Sequence, residues 1–193
     1  MFKRLYDWTL SLAGSPRATP ALAAISFAES SFFPIPPDVV LVPMALAKPE
    51  KAFYYATVCT IASVLGGIVG YGIGYLLYET LGQWLMNLYG YTDKVDALRA
   101  FYAEWGWAFI LVKGVTPIPY KLVTIVSGLL EYNFLLFVLL SIITRGARFF
   151  IVAGLLHRYG DQARALLDRH FGVFMALIIA FVVLGFWVAI KVF

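Results

Sequence analysis

Glu29-Ser-Ser-Phe-Phe-Pro-Ile-Pro-Pro-Asp38 sets two acids and three prolines inside a segment otherwise apolar enough to enter a bilayer. Proline in a helix interior removes a hydrogen bond and clashes with the preceding turn, at about 3 kcal/mol. Pro34, Pro36 and Pro37, three within four residues, therefore break the helix. Irregular backbone survives at membrane depth only when buried in protein or facing a watery cavity. The reading for residues 18–47 is a helix-break-helix hairpin that enters and leaves by the same side, with an ordinary proline-kinked span as the alternative. A partial echo follows at Lys113-Gly-Val-Thr-Pro-Ile-Pro-Tyr-Lys121. Setting Pro34 against Pro117 aligns Ile35 with Ile118, Pro36 with Pro119 and Val40 with Val123, and places Asp38 opposite Lys121. A repeated, charged, proline-broken apolar hairpin points to a transporter built from two halves.

Composition supports a membrane setting. Of 193 residues, 62% are hydrophobic and 13% charged, with a mean hydropathy of +0.83. Soluble domains are about half apolar and about a quarter charged. The expectation is one polytopic membrane domain, all-α. Net charge +4 fits basic loops that set orientation, and no basic stripe outside the apolar segments suggests nucleic-acid binding. The single Cys59 excludes an internal disulfide and reads as a small core residue. Residues 1–17 lack a continuous apolar core with a small-residue cleavage site, so no cleaved signal is expected.

Working outward, residues 1–17 read as an interfacial helix closed by Gly14-Ser-Pro-Arg17. Lys48-Pro-Glu-Lys51 is a turn, and 52–78 is long enough to span about 30 Å of hydrocarbon. Its Gly66, Gly67, Gly70 and Gly74 make a smooth face for a close helix neighbour. In 79–106 the acids Glu79, Asp93, Asp96 and Glu104 outnumber Lys94 and Arg99, and Trp84, Tyr89, Tyr91, Tyr102 and Trp105 suit headgroup depth, which predicts interfacial helices. Residues 107–131 form the second broken hairpin around Pro117 and Pro119, 132–156 a span, and 171–193 a third span. Basic segments 1–17, 48–51 and 157–170 are assigned to the cytoplasm and acidic 79–106 to the outside. The two hairpins then enter from opposite faces, an inverted repeat of re-entrant hairpins with about three full transmembrane helices.

Three motifs in order resemble the bacterial DedA family (SNARE-associated, or VTT-domain, membrane proteins). They are Phe27-Ala-Glu-Ser-Ser-Phe-Phe-Pro-Ile-Pro-Pro-Asp38, Gly66-Gly-x-x-Gly70-Tyr-x-x-Gly74-Tyr75, and Lys113-Gly-x-Thr-Pro117-x-Pro119. The lysine-flanked second hairpin looks like the family's YqaA-type branch. The resemblance covers roughly residues 20–160. It implies a multi-pass protein of the bacterial inner membrane and, for several members, flipping of undecaprenyl phosphate driven by the proton-motive force. Carrier flippases of the family resemble Arg-Phe-x-Pro-x-x-Arg where this chain has Lys113 and Lys121. Arginine grips phosphate bidentately and lysine as a point charge, so the exchange bears on the substrate.

Ionisable groups at membrane depth cost about 2.5–3.5 kcal/mol each on insertion scales and are functional candidates by default. Glu29 and Asp38 are the candidate proton-carrying acids, with helix capping the alternative for Asp38. Lys113, Lys121, Arg145 and Arg148 are the candidate phosphate-binding bases. Their alternative role is salt bridging to Glu29, Asp38 and Glu131, or snorkelling to the interface. Thr116 and Tyr120 either donate to a phosphate oxygen or satisfy broken backbone.

The leading function is translocation of a phosphate-bearing lipid, undecaprenyl phosphate or a phospholipid, coupled to protons. A proton-coupled exporter of small cations or drugs is the transport alternative; a lipid-processing enzyme or a structural scaffold are alternatives of another class. No His-Glu-x-x-His or Gly-x-Ser-x-Gly occurs, and no metal or cofactor is expected. Expected partners are membrane lipids, a polyprenyl phosphate among them, and protons; a homo-oligomer is compatible with the sequence.

Overall fold

The structure is a computed structural model. It describes residues 17–31, 36–78, 80, 92–113 and 120–160, with backbone alone for 92–96 and 113. Six α-helices and one 3-10 turn make up this part, with no strand among the described residues: α1 (Ala18–Ser31), α2 (Asp38–Ala47), the turn Pro49–Lys51, α3 (Ala52–Leu77), α4 (Thr92–Lys113), α5 (Tyr120–Leu129) and α6 (Phe134–Gly160).

Local chemistry sets these ends. Pro20 lies in the first turn of α1, where its missing N–H costs nothing. α1 is described as far as Ser31, and Pro36 and Pro37, outside helix, lead into α2 at Asp38, with Pro37 as N-cap at φ −65°. Asp38 in that first turn complements the helix dipole. Pro43 sits inside α2 and is buried. α6 begins after Asn133, whose Oδ1 accepts the Leu136 N–H at 3.0 Å, a side-chain N-cap. At its other end His157 Nδ1 lies 2.8 Å from the Pro49 carbonyl oxygen.

α3 is the helix against which the others are placed. Its glycine face receives two neighbours, α1 and α5. A Cβ at Gly66 would collide with the Phe27 carbonyl of α1, and one at Gly74 with the Ile125 carbonyl of α5. Gly128 of α5 meets the Tyr71 carbonyl in the same way, so α3 and α5 touch backbone to backbone. Small residues permit that approach, and dispersion between the backbones rewards it.

Two apolar cores flank this contact. Leu22 of α1, Leu41, Met44 and Leu46 of α2, Tyr55 and Cys59 of α3, and Phe149 and Ala153 of α6 form the first. Tyr102 and Ile110 of α4, Leu130, Tyr132, and Phe137 and Leu140 of α6 form the second. α6 joins both, running antiparallel to α3: Phe137 meets Tyr71 near the end of α3, while His157 meets Phe53 near its start.

α3 with its preceding turn, and α6, are long and apolar enough to cross a bilayer. Ile61, Leu65, Val69 and Leu76 of α3, and Leu135, Ile143, Ile151 and Leu155 of α6, are exposed. An exposed apolar face of that extent is what lipid contact requires.

One boundary differs from the sequence reading. The interfacial segment 79–106 and the hairpin arm starting at 107 are not separate, because α4 runs unbroken from Thr92 to Lys113. Trp105-Gly-Trp107 holds a single glycine, which weakens a helix by about 1 kcal/mol without ending it, and the Tyr132 ring packs over Gly106. The span read as 132–156 likewise runs on past 156 to Gly160. The interfacial segment 1–16 and the span 171–193 lie outside the described residues.

Candidate functional site

The end of α1 and the start of α5 abut the middle of α3. Ser31, the last residue of α1, donates its hydroxyl to the Gly66 carbonyl at 3.0 Å. Tyr120, the first residue of α5, lies over the neighbouring Gly67. Thr124 Oγ1 donates both to Lys121 O at 2.9 Å and across to Ser30 O at 3.4 Å.

At this level one polar network joins four helices. Arg145 Nη2 of α6 donates to Glu29 Oε2 of α1 at 2.7 Å, and its Nε donates to Ser63 Oγ of α3 at 2.6 Å. Ser63 shares a 2.6 Å hydrogen bond with Ser30, and Ser30 Oγ donates to Glu29 Oε2 at 3.2 Å. The guanidinium carbon stands 4.7 Å from the Tyr120 ring centroid and 4.8 Å from that of Phe149. Tyr120 in turn donates its hydroxyl to Ser141 Oγ at 2.5 Å. The Arg145 side chain is 4% exposed and that of Glu29 16%. A buried ion pair is tolerable only when hydrogen bonds satisfy its remaining donors and acceptors, and the two serines supply them.

A second pair lies three residues further along α6. Arg148 Nη2 donates to Asp38 Oδ2 at 2.6 Å, with side chains 39% and 22% exposed. α6 thus pairs with α1 through Arg145 and with α2 through Arg148.

Set against the sequence candidates, the structure brings Glu29, Tyr120 and Arg145 into one cluster and Asp38 and Arg148 into a second. The salt-bridge alternative describes Arg145 and Arg148. Glu131, offered there as a further partner, is bound instead by Arg99 at 2.6 Å. Lys121 is half-buried and makes no ion pair with any described residue. Lys113 closes α4, its side chain outside the description; Pro34, Thr116, Pro117 and Pro119 also lie outside the described residues, whereas Pro36 and Pro37 lead into α2.

Ser30, Ser63 and Ser141 were missed. Their one signal is a hydroxyl in an apolar helix at helical spacing from another feature: Ser63 precedes Gly66 by three. Among the described residues no group of three His, Cys, Asp or Glu is placed to hold a metal.

A Haemophilus influenzae protein described as uncharacterized is 35% identical over 191 residues, covering 97% of each chain. An uncharacterized Histophilus somni protein is 38% identical over 169 residues, 88% of each chain. No family model matches the chain, and no solved structure matches it. The chain belongs to the family of these uncharacterized Haemophilus influenzae and Histophilus somni proteins.

Proposed function

We propose that this chain is a DedA-type transporter of the bacterial inner membrane that moves a phosphate-bearing lipid, coupled to protons. The observation that carries this reading is the meeting of the end of α1 and the start of α5 at Gly66 and Gly67, with Glu29, Arg145 and Tyr120 gathered there. The order of the helices agrees with it. A helix, a ten-residue helix and a long apolar helix follow one another as α1, α2 and α3, and again as α4, α5 and α6. In a bilayer these units become two re-entrant hairpins of an inverted repeat, meeting at the midplane.

The roles divide by what each base already holds. Arg145 has its Nε and one Nη engaged and aromatic rings close to its guanidinium, so it positions Glu29 and offsets its charge. Lys121, half-buried in the first turn of α5, is the cation that receives the lipid phosphate, while the isoprenyl or acyl tail remains in the bilayer. Protonation of Glu29 loosens its hold on Arg145 and couples proton entry to movement of the headgroup. Engagement of both acids by arginines favours an anionic substrate over the cation-export alternative, which would need free carboxylates.

The test is a flip assay in liposomes with fluorescent undecaprenyl phosphate and, in parallel, a fluorescent phosphatidic acid, with and without a pH gradient. Glu29→Gln should abolish stimulation by the gradient, and Lys121→Ala should slow flipping at least tenfold. Equal rates for both variants and the unmodified protein would remove the mechanism.

A further inference from the structure

Glu131 occupies a position that favours glycine. It follows α5, where its N–H bonds to the Gly128 carbonyl at 3.0 Å and the Tyr132 N–H to the Ser127 carbonyl at 2.9 Å. That double bond pattern is the Schellman ending, whose central residue takes the left-handed conformation. Glu131 does so with φ 54°, the only non-glycine residue with positive φ among those described. Glycine takes that conformation without strain, and an acid at a helix C-terminus also opposes the dipole. Turn geometry therefore gives no reason for glutamate. Its carboxylate does: Oε1 accepts from Arg99 Nη2 of α4 at 2.6 Å.

Arg99 also places its guanidinium carbon 4.0 Å from the centroid of the Tyr78 ring, just past α3. One side chain thus ties the end of α3, the body of α4 and the α5–α6 turn. Nearby bonds fix the turn itself: Tyr71 Oη donates to the Tyr132 carbonyl at 2.6 Å, and Tyr102 Oη pairs with Ser127 Oγ at 3.0 Å. The Arg99–Glu131 contact is of a different kind. It uses a single donor, since Arg99 Nε is buried with no acceptor among the described residues, where a bidentate fork would hold more firmly. Its side chains are 23% and 41% exposed, so water and salt compete for it.

We infer that Arg99 and Glu131 form an openable latch that pins α4 to the α5–α6 turn, at the far end of α5 from the Glu29–Arg145 network. The first hairpin is held by α6 through Arg145 and Arg148; the second is held at its other end by this latch. Its part in the cycle rests on the transport reading: release frees α4 to move while the midplane pairs stay closed.

The latch is tested on the full chain in nanodiscs, with Cys59→Ser and spin labels at Leu98→Cys and Leu135→Cys, two exposed positions on α4 and α6. The unaltered pair should give one narrow distance at low salt that broadens at 1 M salt. Glu131→Gln and Glu131→Gly should both give the broad distribution at low salt, although the second relieves the turn. Arg99→Glu with Glu131→Arg should restore the narrow one. An unchanged distribution in Glu131→Gln, or no restoration by the exchange, overturns the latch. Its part in transport is read from Arg99→Cys with Glu131→Cys in the Cys59→Ser chain, joined by a bifunctional methanethiosulfonate that replaces the length of the two lost side chains. The joined fraction is measured by mass spectrometry. Joining should stop lipid flipping and cleavage by a thiol reductant should restore it; undiminished flipping by the joined protein overturns that part. A failure of the unlatched parent to flip any lipid removes the transport reading and leaves the distance result to decide the latch.

Discussion

Replacing Arg145 with methionine keeps most of the side-chain volume and removes the charge that faces Glu29. The Glu29 carboxylate, 16% exposed, then retains only the Ser30 hydroxyl at 3.2 Å, and Ser63 loses its donor at 2.6 Å. Removing one partner of a buried ion pair costs about 3–5 kcal/mol, because the other charge is left uncompensated. Glu29→Leu should cost a similar amount by stranding the guanidinium, whose side chain is 4% exposed. The double variant strands neither charge. It should cost at least about 2 kcal/mol less than the two single losses added, the scale of coupling between directly bonded groups. The assay is reversible unfolding in mixed micelles with increasing SDS, followed by tryptophan fluorescence, for all four corners of the cycle. Additivity to within about 0.5 kcal/mol, the behaviour of independent sites, would refute the network as drawn.

The Asp38–Arg148 pair is far less buried, so Arg148→Met should cost about 0–1 kcal/mol in the same titration, well below Arg145→Met. Gly74→Ala and Gly128→Ala each drive a Cβ into backbone carbonyl; each should destabilise by about 1–3 kcal/mol, whereas Gly72→Ala, facing open space, should stabilise by up to about 1 kcal/mol. Tyr132 carries a buried hydroxyl with no partner among the described residues, so Tyr132→Phe should be neutral or stabilising by about 1–3 kcal/mol; a loss in its unfolding midpoint would mean that the hydroxyl is satisfied.

How far the chain could be read follows from which signals are local. The span at 52–78 and the interruption between Ser31 and Asp38 were legible because hydropathy and proline act on the residues that carry them. The glycine face of α3 predicted a close neighbour, but not that it would serve α1 and α5 together, since the identity of a partner is tertiary information. The unbroken course of α4 was hidden by its acids and tryptophans, which suggested an interface, while Gly106 alone is too weak a signal to mark a boundary. The charged candidates were visible one by one. Their pairing was not, because Glu29 and Arg145 are 116 positions apart and nothing in composition distinguishes Arg145 from Arg148 as the partner. Arg99 was missed as a site residue because it sits in the stretch assigned to the interface.

That separation along the chain bears on biogenesis. During synthesis Glu29 and Asp38 leave the ribosome long before Arg145 and Arg148, with 116 and 110 positions between the partners. Until α6 is in place, Glu29 and Asp38 lack the counter-charges of the finished fold, and for any acid left unmatched at bilayer depth the cost is about 2.5–3.5 kcal/mol on insertion scales. Arrival of α6 is therefore the step that neutralises both acids, and a nascent protein halted before Arg145 would present them unneutralised to cellular quality control.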